Sequence, residues 1–346
     1  MSEVKFFEYP SIENSYQKGF IDKIKERGYG NIQYMVSEKI HGANTQLTYR
    51  FDDGIFKIGG RTKFLQEDES FYNAQTVIER FEPQLRIIAE FLRKKLSIYG
   101  LNATSVSMFG ELFGGSYPHN DVPLDKTAHR VQKGVFYSPH NEWLAFDIGY
   151  TLAGSDKMIF FSGSEFFDCC YFAGIPMVPI IKIASNLDDA LTVKNDGASQ
   201  VYLRYHLPKI DDNIMEGVVI RPYYQDIWFG DTRLIIKNKN EKFKEKSRMK
   251  KLDVPKEVPE IVKKAQEEIS QYINLNRVHA VLSKLGEADA KDIGKVIMMV
   301  SQDILQEYQK EYDTFKNIEK KDEKMVTKFM NSEVAKLVRD VIIFGK

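Results

Sequence analysis

The stretch QYMVSEKIHGANTQLTYRF, residues 33–51, reads as two strand-like runs joined at a glycine. Residues 33–36 are apolar enough for a buried strand, and residues 44–51 alternate between polar and apolar. Lys39 closes the first run, and His41, Gly42 and Asn44 follow at once. A lysine there is a candidate nucleophile at a tight turn, since glycine allows backbone to approach a ligand closely. A surface lysine before a turn is the competing reading, and this segment alone does not separate the two.

Similar short runs recur outward from it: GIFKIGGR (54–61), SVSMFGEL (105–112), EWLAFDIG (142–149), EGVVIRP (216–222) and TRLIIKNK (232–239). Each is bounded by Gly, Asp, Asn or Pro, the punctuation of strands. Between them, Val77, Phe81, Leu85, Ile88 and Leu92 recur at three- and four-residue steps, predicting a helix over 76–96. Pro83 inside it predicts a kink or a split. Sheets with inserted helices point to an α+β domain over residues 1–245.

After Leu252 glycine becomes rare and helix formers dominate. Pro255 and Pro259 mark a linker or helix start. Ile261, Ala265, Ile269 and Ile273 repeat at four-residue steps, and two later runs, IGKVIMMVSQDILQEY and NSEVAKLVRDVIIF, look amphipathic. Asn331 or Ser332 is a candidate N-cap for the last of them. An all-helical module over 252–346 is expected, with no catalytic chemistry of its own.

The chain has 346 residues, long for one compact domain and suited to a large unit plus a smaller one. With 43% hydrophobic and 28% charged residues it has the balance of a soluble globular protein. No run approaches a membrane span, and MSEVKFFEYP lacks a basic-then-apolar signal. Adjacent Cys169 and Cys170 build no disulfide framework and read as core residues in a reducing compartment, so a cytoplasmic location is expected. Zero net charge weighs against non-specific coating of nucleic acid, yet residues 237–251 carry eight basic side chains against two acidic ones. That local excess suits a polyanion or, equally, a solvated linker.

Two further segments carry chemistry. Glu216 opens the buried-strand run GVVIR, and Lys237 and Lys239, two apart in a strand, project from one face. Two ammonium groups on an apolar strand are costly unless they meet anions, for which phosphates are well suited. Attack by a lysine on the α-phosphate of ATP needs the neutral amine, whereas a free lysine stays protonated up to about pH 10.4. Lys237, Lys239 and a bound metal are expected to disfavour a protonated Lys39 and to stabilise charge on the transferring phosphate. Glu216 would hold the divalent cation, expected to be Mg²⁺, with Mn²⁺ as the alternative.

Lys39-Ile40-His41-Gly42, Phe109-Gly110-Glu111-Leu112, Ala145-Phe146-Asp147-Ile148, Glu216-Gly217-Val218-Val219 and Lys237-Asn238-Lys239 stand in the order of the nucleotidyltransferase motifs I, III, IIIa, IV and V. The chain thereby resembles the covalent nucleotidyltransferases, the superfamily of ATP-dependent ligases and capping enzymes. His41 before the motif I glycine, FGELFGGSYP and VQKGVFY narrow the resemblance to the RNA ligase 2 family. That resemblance implies an ATP-grasp-like ligase domain with Lys39 as the adenylated nucleophile. It implies Glu38 at the adenine edge, Ile40 and Asn44 beside the nucleotide, Glu111 on the ribose hydroxyls and Phe146 stacked on the base. It also implies Arg61 contacting the nucleotide, Lys237 and Lys239 on the α-phosphate, and Glu216 on the metal. The implied reaction adenylates Lys39, passes AMP to a 5′-phosphate end, and joins that end to a 3′-hydroxyl. RNA, as a nicked duplex or on a bridging strand, is the expected partner of a monomeric enzyme, and the resemblance implies that the helical module over 252–346 engages it by clamping the duplex around the break. A DNA ligase, a capping guanylyltransferase and a catalytically dead nucleic-acid-binding protein are the rivals.

Overall fold

The computed structural model describes residues 4–67, 69–247, 252, 258–286 and 288–344. Arg248 to Lys251, the end of the basic run, and Pro255 lie outside them. The chain divides into two compact units, Met1–Asn240 and Glu241–Lys346.

The first unit carries, in chain order, β1 (Glu13–Asn14), β2 (Tyr34–Lys39), β3 (Ala43–Arg50), β4 (Phe56–Gly59), β5 (Ala103–Gly114), β6 (Asn141–Leu152), β7 (Met158–Phe160), β8 (Ile180–Ala184), β9 (Gly217–Pro222), β10 (Trp228–Phe229), β11 (Thr232–Arg233) and β12 (Ile236–Lys239). Its helices are α1 (Lys18–Glu26), α2 (Ala74–Glu79), α3 (Glu82–Ser97), α4 (Gly163–Ala173), α5 (Leu187–Leu191) and α6 (Val201–Arg204). One sheet runs β1-β12-β9-β2-β8 and the other β4-β3-β5-β6-β7, with β10-β11 as a separate hairpin. Both sheets are antiparallel apart from the short parallel pair of β1 with β12.

The quoted opening stretch crosses between the sheets: β2 belongs to the first and β3 to the second. Gly42 makes that crossing possible. A Cβ there would lie 2.2 Å from the Leu112 carbonyl oxygen, so β5 backbone, rather than a ligand, fills the space glycine leaves. The expected helix over 76–96 is split into α2 and α3, and Pro83 occupies the first turn of α3, where its missing N–H costs nothing. Leu85, Ile88 and Leu92 pack that helix into the core against Leu47, Met108 and Val106. TRLIIKNK does not form one strand. Ile235 N–H donates to Arg233 C=O at 2.8 Å, a three-residue turn that sends β11 and β12 into different sheets. Cys169 and Cys170 are free and buried.

The second unit is helical: α7 (Glu260–Ser270), α8 (Leu275–Leu285), α9 (Ile293–Glu311) and α10 (Lys320–Phe344). Pro259 caps α7. The buried stripe of α7 is Val262, Ala265 and Ile269, while Ile261 is exposed, so the expected ladder is one residue out in its first turn. Asn331 and Ser332 cap nothing; they lie in the middle of α10. There Val326, Met330, Val334 and Val338 bury one continuous face, and that packing overrides the local preference of Asn and Ser for a cap. Residues 241–247 are tied to this unit: Arg277 donates to the Glu245 carbonyl at 2.9 Å, and Asn276 to those of Lys242 and Lys244. No helix among the described residues is long and apolar enough to cross a membrane.

Candidate active site

Three neighbouring strands bring the charged residues together. β9 lies between β2 and β12, and both Lys39 and Lys239 are in register with Gly217. Residues paired across antiparallel strands share a face, so the two lysines flank Gly217 on one side of the sheet. Ser37, Val219 and Lys237 form the next row along that face. Gly217 is required in this row: a Cβ would stand 2.2 Å from the Asn238 carbonyl oxygen.

Glu216, immediately before β9, fills the gap between the two ammonium groups. Its Oε2 lies 2.9 Å from Lys39 Nζ, its Oε1 lies 3.0 Å from Lys239 Nζ, and its side chain is 2% exposed. His41 Nδ1 is 3.4 Å from the same Oε2. Burial alone would raise this carboxyl, but Lys239, Lys39 and His41 outweigh it and hold it well below the usual carboxylate range. The sequence points to Lys237, Lys239 and a metal held by Glu216 as the charges around Lys39; in the structure Glu216 itself is its ion-pair partner. The reason is topological. β9 threads between the two lysine strands, and two ammonium groups brought this close need a shared counter-ion.

Glu111 on β5 faces the same charges. Burial raises its carboxyl to about 7; Lys39 opposes that rise, and Glu216 adds to it. The Gly42 backbone N–H donates to Glu111, so the turn after Lys39 is fastened to β5. Asn44 pairs directly with Glu111 across β3 and β5 and so lies on its face. Tyr137, fully buried, accepts a hydrogen bond from His41 N–H at 3.0 Å and fixes the turn from its other side. Ile40 is buried in the turn itself.

Phe146 occupies a β-bulge. Phe109 pairs with Asp147 and Gly110 with Ala145, leaving Phe146 as the extra residue, free to be re-aimed. Its ring meets Tyr9 edge-on at 5.0 Å. Arg221 holds the bulge, donating to the Phe146 carbonyl at 3.3 Å and to Asp147 Oδ1 at 3.0 Å.

Two named residues take other partners than the Glu216 ion pairs. Arg61, in the loop after β4, pairs with Glu8 at 3.3 Å. Glu38 alternates to the opposite face of β2 from Lys39, the face that carries Tyr34 and Val36. It accepts from Gln200 N–H at 2.9 Å through Oε2, while its buried Oε1 has no partner. Burial raises the Glu38 carboxyl to about 7. A carboxyl raised in the fold costs stability as pH climbs from its unfolded value near 4.5 through about 7. Glu38→Gln is therefore expected to gain about 3 kcal/mol over the wild type at pH 8 and little at pH 4. Thermal melts across that range test this, and parallel pH slopes for the two proteins would refute it.

Sequence reading missed Tyr137 and the buried set formed by Asp147, Arg221, Arg233 and Tyr9. Asp147 accepts from Tyr9 at 2.8 Å and from Arg221, and it also pairs with Arg233. The signal was present: Arg221 ends the apolar run GVVIR, and a cation there needs a buried carboxylate opposite it.

The family model described as RNA ligase matches residues 32–239, more than half of the chain, and one described as T4 RNA ligase 2 C-terminal matches residues 256–336. Mitochondrial RNA-editing ligase 1 of Trypanosoma brucei brucei is 25% identical over 225 residues, covering 58% of this chain and 47% of that protein. Mitochondrial RNA-editing ligase 2 of the same organism is 29% identical over 161 residues, covering 42% of this chain and 37% of that protein. The chain thus spans about half the length, or less, of these curated relatives. A solved Naegleria gruberi RNA ligase mutant with ATP and Mn is 17% identical, with a TM-score of 0.42, covering 69% of this chain and 58% of that one.

Proposed function

Since the chain belongs to the RNA ligase family, we propose that it is an ATP-dependent RNA ligase that carries AMP on Lys39. The observation that carries this reading is the shared carboxylate: Lys39 and Lys239 stand on either side of Glu216, in register across β2, β9 and β12. Lys39 first gives up its ammonium proton to water; the neutral Nζ then attacks the α-phosphorus of ATP, the α–β phosphoanhydride bond breaks, and pyrophosphate leaves with the electron pair. A phosphoramidate remains on Lys39. AMP then passes to a 5′-phosphate, freeing the lysine, and a 3′-hydroxyl displaces AMP to close the strand.

Glu216 is held too acidic to act as a base at neutral pH, so its role is charge placement. It keeps Lys39 and Lys239 together until phosphate oxygens compete for Lys239, and Lys237, one row along the same face, extends the cationic strip. Glu111 and Asn44, side by side, offer polar partners to the ribose. Phe146 in its bulge offers a ring to the base, and Glu38, with a free buried oxygen, one acceptor for its edge. Arg61 would exchange Glu8 for the nucleotide or the RNA end.

A divalent cation fits the donor set. Among the described residues no three His, Cys, Asp or Glu side chains form a cage. Mg²⁺ is commonly held by one or two carboxylates together with substrate phosphates and water. Glu216, with Glu111 in electrostatic reach, supplies that kind of partial shell, and Mn²⁺ suits it equally. Bound there, the metal would neutralise charge on the phosphates.

The proposed substrate is a nick in duplex RNA, sealed by a monomer in the cytoplasm. Incubation with α-labelled ATP or GTP and Mg²⁺, followed by a chase with nicked duplex RNA, tests the reading. Label should enter the protein from ATP alone and leave it for the RNA, which is then sealed. Labelling by GTP alone, or retention of label throughout the chase, would reject it.

A further inference from the structure

Helix α10 presents two faces of opposite character. Val326, Met330, Val334 and Val338 are buried in the helical core. On the outer side Lys321, Lys324, Lys328, Ser332, Ala335 and Arg339 follow one another at helical spacing, and the four cations are all exposed. At about 100° per residue these six stay within roughly 40° of one line along the helix. The acids of the same helix, Asp322, Glu323, Glu333 and Asp340, lie more than about 100° away from it. Lys336, toward one flank, is paired with Glu333. Among the described residues none of the four ladder cations has an ion-pair partner. From Lys321 to Arg339 the ladder is about 27 Å long at about 1.5 Å per residue.

We propose that this outer face of α10 is a phosphate-binding strip that tracks the backbone of duplex RNA. The proposal rests on the ligase reading and adds the surface that holds the substrate. A line of unpaired cations without intervening acids is the complement of a polyanion, because each contact releases condensed counterions. Duplex RNA is recognised mainly through its shape, phosphates and 2′-hydroxyls, which suits a strip with no aromatic reader on its line. Ser332 and Ala335, small residues amid the long cations, leave the helix surface open to close approach. An anionic membrane is the weaker match: a surface-binding helix inserts an apolar face, and α10 has committed its own to the protein core.

The test replaces Lys321, Lys324, Lys328 and Arg339 together with alanine, the best helix former, in the full chain. A second variant carries arginine at the three lysine positions. Binding of a nicked RNA duplex is followed by fluorescence anisotropy between about 50 and 200 mM salt, where phosphate contacts show most strongly. The alanine variant should lose at least about tenfold in affinity, and its log K against log salt slope should flatten by about 3.6, near 0.9 for each of four lost phosphate contacts. The arginine variant should bind as the wild type does, and label transfer from ATP to protein should be equal in all three. Unchanged affinity and slope in the alanine variant would overturn the proposal. So would loss of binding to phosphatidylserine vesicles with RNA binding intact. A wild type that takes no label from ATP, yet shows the RNA effect, would reject the ligase reading and leave the strip standing.

Discussion

Glu216→Ala should slow transfer of AMP from ATP to the protein by about a thousandfold, while the chain stays folded. One carboxylate serves two ammonium groups here, 2.9 Å from Lys39 and 3.0 Å from Lys239. Removing it leaves two like charges facing each other with nothing between them. Both lysine side chains retain some exposure, 19% and 12%, so they can separate and reach water. The cost therefore falls on geometry more than on stability: Lys39 is no longer held at the end of β2, and the proposed metal would lose its carboxylate. Loss of one preorganised electrostatic partner commonly costs a hundredfold to a thousandfold in rate, and this substitution removes two functions at once. Glu216→Gln should be nearly as slow, since an amide keeps the shape without the charge. Single-turnover labelling with α-labelled ATP measures the rate, and a thermal melt confirms the fold. A rate within about threefold of the wild type would contradict the assignment.

Asp147→Ala should have the largest effect on stability, about 3–5 kcal/mol, the usual result of stranding a buried charge. Asp147 and Arg233 are fully buried, and Arg221 nearly so. Burial raises the Asp147 carboxyl, but Arg221 and Arg233 outweigh that and hold it below the ordinary carboxylate range. Without the carboxylate, two guanidinium groups and the Tyr9 hydroxyl lose their common partner in the interior. For a unit of this size the change corresponds to a fall in Tm of roughly 10 °C. The sign with pH follows from the depressed value. The stabilisation is complete above the unfolded carboxyl's value near 3.8 and is lost as pH falls through the lower, folded one. Wild type should therefore lose stability in acid more steeply than the variant, and the two melting curves should converge. Equal melting temperatures at pH 7 would show that the network carries no net stability.

How much of this was legible in the sequence depends on the range of the cause. The runs around residues 44–51, 105–112 and 142–149 became strands because alternation is a local signal, and Pro83 split its helix through its own ring. Lys39, Glu216, Lys237 and Lys239 were legible as a set through their motif order; the lysines lie on β2 and β12, and Glu216 immediately precedes β9 between them. Their register was not legible. That Lys39 and Lys239 both align with Gly217, leaving Glu216 between them, is fixed by strand pairing over about 180 residues of separation. The same long range hid Tyr137, whose partner is a backbone N–H at His41, and Asp147, whose partners come from two other strands. Glu38 adjoins Lys39 in sequence, yet strand alternation turns the two side chains to opposite faces of β2, which motif order alone does not convey. Asn331 and Ser332 were misread because a cap is a local preference, and the buried face of α10 runs straight through them.

All of this turns on a single nitrogen becoming bonded to phosphorus. The direct measurement is peptide mapping by mass spectrometry after incubation with ATP and Mg²⁺, under alkaline conditions that preserve a phosphoramidate. AMP should be found on the peptide containing Lys39, attached at Nζ, and Lys39→Ala should carry none. AMP on another side chain, or equal modification of the Lys39→Ala protein, would contradict the account.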